Sequence, residues 1–164
     1  MKEKIKKYTF LAIPFLALAA LLMIFAVAVV HKESTVYQFT GWQTAFGFTA
    51  EEAWGSSVTR YEILKFSFLN IMPYILLIGG IVVYVIDALG KGKDFFGWIT
   101  AGLFLVAAVF FFLSIVGIQF GADVDFAIEE LLMGPGPIIG GICSILASLC
   151  AATTPVMNLI EAKK

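Results

Sequence analysis

Residues 10–30 read FLAIPFLALAALLMIFAVAVV, without a single Asp, Glu, Lys, Arg or His. The hydrocarbon of a bilayer is about 30 Å thick and takes roughly 20 helical residues to cross. This run is long enough, and three more follow. The second starts at Phe66 and stays uncharged to Ile86, giving an expected span over 66–88. The third expected span covers 96–119 and the fourth 137–156. The runs are continuous rather than alternating, so helices and not barrel strands are expected, each satisfying its own backbone in lipid.

Composition agrees. Hydrophobic residues make up 60% of the 164 and charged residues 14%, against about 45–50% and about 25% in an average globular chain. A water-soluble fold has too little polar covering for that apolar load; lipid solvates it directly. The expected fold is all-α: one membrane domain over residues 1–164, a four-helix transmembrane bundle with a small β-hairpin on its first outer loop. The outer loops are expected at 31–65 and 120–136. The basic segment before residue 10 and the small residues Ala26-Val27-Ala28 raise a cleaved signal peptide. The apolar run exceeds the ~7–15 residues of a signal core, so a retained anchor is expected.

Charge sets the orientation, because cytoplasmic loops are enriched in Lys and Arg. With four spans, Lys2, Lys4, Lys6, Lys7, Lys91, Lys93, Lys163 and Lys164 fall on one side and only Lys32, Arg60 and Lys65 on the other. Eight basic and four acidic residues make the first side +4; three basic and eight acidic make the other −5. Both termini are expected to be cytoplasmic, in a multi-pass protein of the plasma membrane.

In the first outer loop, residues 34–40 (STVYQFT) and 60–67 (RYEILKFS) alternate in a strand-like way, and an antiparallel pair between them is expected. Between them Thr49-Ala50-Glu51-Glu52 reads as a capping box that opens a short helix through Trp54. Tyr37, Phe39, Trp42, Phe46 and Trp54 form the expected aromatic cluster, with Trp42 beneath that helix. They would serve as a loop core, an interfacial belt or a partner surface. In the second loop, Asp123 and Asp125 would cap an amphipathic segment over 126–133, with Phe126, Glu130 and Met133 on one face. Its four carboxylates are read as solvated acids and not a metal site.

Catalytic chemistry finds no foothold in this pattern. The four apolar runs hold no ionisable group of the kind that marks transport or intramembrane catalysis, and Asp87 comes one place after the second. Spacing assembles no His/Glu/Asp metal set around the lone His31, and Gly90-Lys91-Gly92-Lys93 is a turn whose lysines topology explains. Cys143 and Cys150 are seven apart on one helical face, about 10 Å, too far for a disulfide. What the spans do offer is packing: Gly140, Ser144, Ser148 and Ala152 recur every four residues, a small-xxx-small ridge for close helix approach or partner docking.

The order of parts, four spans with inward termini, a long strand-bearing first outer loop and a short second one, resembles the claudin-like tetraspan layout. Gly41-Trp42 is the motif-level likeness, and the paired cysteines of that signature are missing. The chain is also similar to small uncharacterised tetraspan proteins of Gram-positive bacteria. The resemblance implies location rather than activity. The expected function is a non-enzymatic structural or accessory membrane protein, acting through helix packing and its outer loop. The alternative is a subunit of an oligomeric channel or transporter, lined by Asn70, Ser114, Gln119 and Ser144. Expected partners are the bilayer and a second copy or larger membrane protein, with no nucleic acid and no cofactor.

The topology has a direct test. Lys4→Cys, Lys91→Cys and Ser57→Cys, each in a chain lacking Cys143 and Cys150, should react with an impermeant maleimide in intact cells only at position 57. Labelling at position 91 would refute four spans with inward termini.

Overall fold

A computed structural model describes residues 2–32, 38–54, 57–89, 95–121 and 128–162. Four long helices make a bundle: α1 (Lys2–Leu22), α3 (Phe68–Ala88), α4 (Phe95–Phe112) and α5 (Pro135–Ala162), with a short helix α2 (Gly41–Phe46) outside it. The segments Lys7–Phe25, Phe68–Ala88, Phe95–Phe112 and Pro135–Ala162 are long and apolar enough to cross a membrane. Helix α4 packs between α3 and α5, and α1 closes the ring against α5 and α3. Phe104, Leu77, Ala107 and Ala147 are fully buried at the centre, whereas Phe15, Ile78, Leu105 and Leu149 stay exposed on the outside. A bundle apolar on both its inner and outer surfaces is the pattern a lipid solvent permits.

Five strands gather at the end of the bundle where α1 and α4 finish and α3 and α5 begin. They are β1 (Val27–His31), β2 (Gln38–Thr40), β3 (Phe48–Trp54), β4 (Ser57–Leu64) and β5 (Leu131–Met133). Strand β1 is central in a three-stranded antiparallel sheet, with β2 on one edge and β5 on the other. Strands β3 and β4 form an antiparallel hairpin with Glu51 opposite Arg60, and these two side chains are 2.8 Å apart. The backbone around Phe120 runs along the end of β4: the Lys65 N–H donates to Gln119 O and the Gly121 N–H to Ile63 O. A second small core of Ala28, Val29, Phe39, Leu64, Ile118 and Leu131 lies under this platform.

Several expectations need correction. The first apolar run does not stay helical to residue 30: α1 ends at Leu22, a 3-10 turn covers Met23–Phe25, and Val27–His31 is β1. A strand paired on both edges and buried needs no polar face, so a helix running into such a strand reads as one continuous apolar stretch. The third helix ends at Phe112 rather than near residue 119, because residues 113–117 turn so that the chain can return along β4. The fourth starts earlier, at Pro135, a residue suited to the first helical turn where no N–H is needed, and continues past residue 156 to Ala162.

The strand pairing also differs. The described part of residues 34–40 pairs with β1, not with β4: Phe39 faces Val29 and Gln38 faces Val30. Residues 33–37 lie outside the described set. The Thr49 capping box opens no helix, since residues 48–54 are strand β3; ladder pairing along the whole of β4 outweighs one local capping signal. The helix lies just upstream in α2, where Thr40 Oγ1 accepts from Gln43 N and the Gln43 side chain accepts from Thr40 N. Gly47 ends it at φ 93°, a left-handed conformation that favours glycine. The expected amphipathic segment over 126–133 is instead a single turn at Ile128–Glu130 followed by β5, with 122–127, including Asp123 and Asp125, outside the described residues.

Ser67 joins the two halves of this end. Its Oγ accepts from Asn70 N, capping α3, and donates to the carbonyl of Gly117. Ser67 is 1% exposed, so the Ser67→Ala variant loses the cap and orphans a buried carbonyl. It should destabilise the protein by about 1–3 kcal/mol. Thr153→Ala, which loses only a bond back to Leu149 O within its own helix, should stay within about 0.5 kcal/mol. Thermal melting of the two variants in detergent measures the difference.

Candidate functional site

The small-residue ridge of α5 faces the rest of its own bundle. Gly140 sits under the ring of Phe111 on α4, where an added Cβ would come within 2.9 Å of Phe111 Cε1. Ser144 is fully buried and its hydroxyl donates to Gly140 O at 2.7 Å. Ser148 donates across the seam to Ala101 O on α4, also at 2.7 Å. Ala152 is half-buried and packs against the bundle core. Three ridge positions therefore face inward within one chain, and the seam's polar groups are spent on its own carbonyls. Cys143 and Cys150 are free thiols, half-buried against the same core.

The expected aromatic cluster divides. Phe39 is 5% exposed and packs 6.2 Å, centroid to centroid, from Phe48. Trp42 is not beneath a helix; it lies on α2 itself, 50% exposed, with its ring 4.2 Å from that of Phe46. Both rings point away from the platform core because the buried face of α2 is taken by Gly41, Thr44 and Ala45. With Phe25, Thr40 and Gln43, Trp42 borders an open groove. Tyr37 and the side chain of Trp54 lie outside the described residues.

The polar residues considered as a conduit lining are placed as follows. Asn70 Nδ2 donates to Thr44 O in α2 at 3.2 Å, Gln119 lends its backbone carbonyl to Lys65, and Ser144 is committed within α5. Asn70 Oδ1 and Ser114 Oγ are buried without a protein partner. His31 Nε2 lies 3.3 Å from Glu130 Oε2, linking β1 to the turn before β5. Lys32 also donates to the Glu129 carbonyl. These cross-loop contacts were not legible from spacing, since their partners are about a hundred residues apart. The capping box that does open a helix, Thr40 to Gln43, is a local signal equally legible in the sequence. Among the described residues, no three His, Cys, Asp or Glu side chains come together in a way that would hold a metal ion.

The chain matches no known family, no curated protein and no solved structure.

The seam has a steric test. Ser148→Leu inserts a large side chain where Ser148 meets Ala101, and should lower stability by about 1–3 kcal/mol, the usual effect of overpacking. Ile145→Leu, half-buried on another face, conserves volume and should be the milder change. Equal melting temperatures in detergent would show that the α4–α5 seam tolerates expansion.

Proposed function

We propose that the chain is an integral protein of the plasma membrane with both termini cytoplasmic. In this reading it works without catalysis, as a structural or accessory subunit whose outer platform docks another membrane protein or a second copy. The observation that carries this reading is the construction of the platform. Strand β1 follows α1 after one 3-10 turn, β5 leads into α5 through Gly134, and the two strands pair with each other. The two segments are thereby joined to each other and to the bundle. On that surface α2 presents Trp42 and Phe46 as a stacked, exposed pair. Large rings of this kind carry much of the binding energy of protein interfaces.

The orientation is supported by the lysine distribution, which puts the strand platform on the acidic, outer side. The layout is similar to the claudin-like arrangement, with a strand-bearing first outer loop. The reading as a channel subunit requires an oligomer, because Phe104, Phe111 and Leu77 fill the centre of the single bundle.

A photo-crosslinking amino acid in place of Trp42 tests the proposal in intact cells. One discrete adduct is expected, and native mass spectrometry in mild detergent should give the same stoichiometry. The double variant Trp42→Ala, Phe46→Ala should lose the complex while stability moves little, as exposed side chains usually allow. A complex unaffected by the double variant, or a wild-type protein that is monomeric and uncrosslinked, overturns the docking role. A symmetric oligomer that passes ions in planar bilayers would favour the channel reading instead.

A further inference from the structure

At the opposite end of the bundle from the strands, a cavity of about 90 Å³ lies among all four long helices. Its walls include Phe10 of α1, Tyr84 and Asp87 of α3, Thr100 of α4, and Ala151 and Asn158 of α5. Thr100 is 1% exposed, yet its Oγ1 has no hydrogen-bond partner. A buried hydroxyl left unpaired costs about 1–3 kcal/mol, and the cavity beside Thr100 has room for a group that pairs with it. Pro155, also in the wall, has no N–H to give the Ala151 carbonyl one turn earlier. Tyr84 spends its hydrogen on Phe10 O at 2.8 Å, leaving its oxygen as an acceptor. Asp87 adds one carboxylate, and among the described residues no Lys or Arg is in the wall.

The described lining offers the Tyr84 and Thr100 oxygens, the Ala151 carbonyl and the Asp87 carboxylate as acceptors, beside the Thr154 hydroxyl and the Asn158 amide. It suits a cation with several N–H donors, and a primary ammonium has three. A quaternary ammonium has none, and an anionic headgroup would meet Asp87 as a like charge. The cavity shares Pro155 and Asn158 with an open groove of about 350 Å³, lined further by Phe95, Trp98, Leu159 and Ala162. A small chamber with a few polar groups, beside an apolar groove that shares two of its wall residues, suits an amphiphile. The helix ends are also where headgroups lie if the bundle spans a bilayer.

We propose that the cavity and groove together bind one phospholipid with a primary-amine headgroup. Its ammonium meets the Asp87 carboxylate and the Thr100 hydroxyl, and its hydrocarbon lies along Phe95, Trp98 and Leu159. The proposal rests on the membrane reading of the helices but not on the docking role of the platform.

The test uses the full chain, delipidated in detergent and then exposed to phosphatidylethanolamine, phosphatidylcholine or phosphatidylglycerol of identical acyl chains. Lipid retention is read by native mass spectrometry and stability by thermal melting. The amine lipid should stay bound and raise the melting temperature, and the other two should not. Asp87→Asn and the isosteric Thr100→Val should each weaken its retention by about tenfold, the loss of one hydrogen bond to a charged group. Thr100→Val without lipid should melt no lower than wild type, because it removes an unpaired hydroxyl. Equal retention of the amine and choline lipids by the wild-type protein overturns the proposal without recourse to any variant. So does undiminished retention by Asp87→Asn, or the same stabilisation by sodium or potassium chloride without lipid.

Discussion

Each proline inside a long helix removes the N–H that the carbonyl four residues earlier would accept, and in an apolar surround that carbonyl must find another donor. Pro14 does this to Phe10, and the Tyr84 hydroxyl supplies the donor from the neighbouring helix. The same demand recurs wherever the chain leaves helical geometry. Ser67 answers it at Gly117 and Asn70 at Thr44. Ser148 adds a bond across the α4–α5 seam, to the Ala101 carbonyl. These few polar side chains join helices that dispersion alone would leave free to slide. The buried hydroxyl of Thr100 is left without a protein partner, and a cavity adjoins it.

The platform follows from the same constraint applied to a strand. When α1 ends at Leu22, the chain beyond it remains apolar and needs partners for a full row of backbone groups. Strand β1 finds them on both edges, in β2 and in β5. One partner comes from a segment about a hundred residues later, which ties the strands before β2 and before α5 into one sheet. The exposed pair Trp42 and Phe46 can then be held in fixed orientation on a helix of only six residues, which would not be stable alone.

In the bundle, close approach depends on what is absent from the helix surface. Gly80 receives the ring of Phe104 and Gly140 that of Phe111; a Cβ at either would come within 3 Å of the ring. Large rings on α4 thus fill notches on both its neighbours. That arrangement explains why the small residues of α5 face inward within the chain, leaving its large aliphatic residues such as Leu149 on the outside.

The sequence by itself determined the number of long apolar helices, because length and hydropathy are local properties that the bilayer's thickness turns into a count. It also marked the α5 ridge, because a four-residue spacing puts small side chains on one face whatever they touch. Tertiary structure decided which face that was packed against, where α1 gives way to β1, and which strands pair. Residues 48–54 became a strand despite a capping signal because β4 offered a complete ladder, and no local window contains that partner. Asp87 looked like the residue that closes a span, one place beyond its apolar run. Only the convergence of four helices put its carboxylate in the wall that also holds the unpaired hydroxyl of Thr100, since contacts between distant segments are set by packing and not by spacing along the chain.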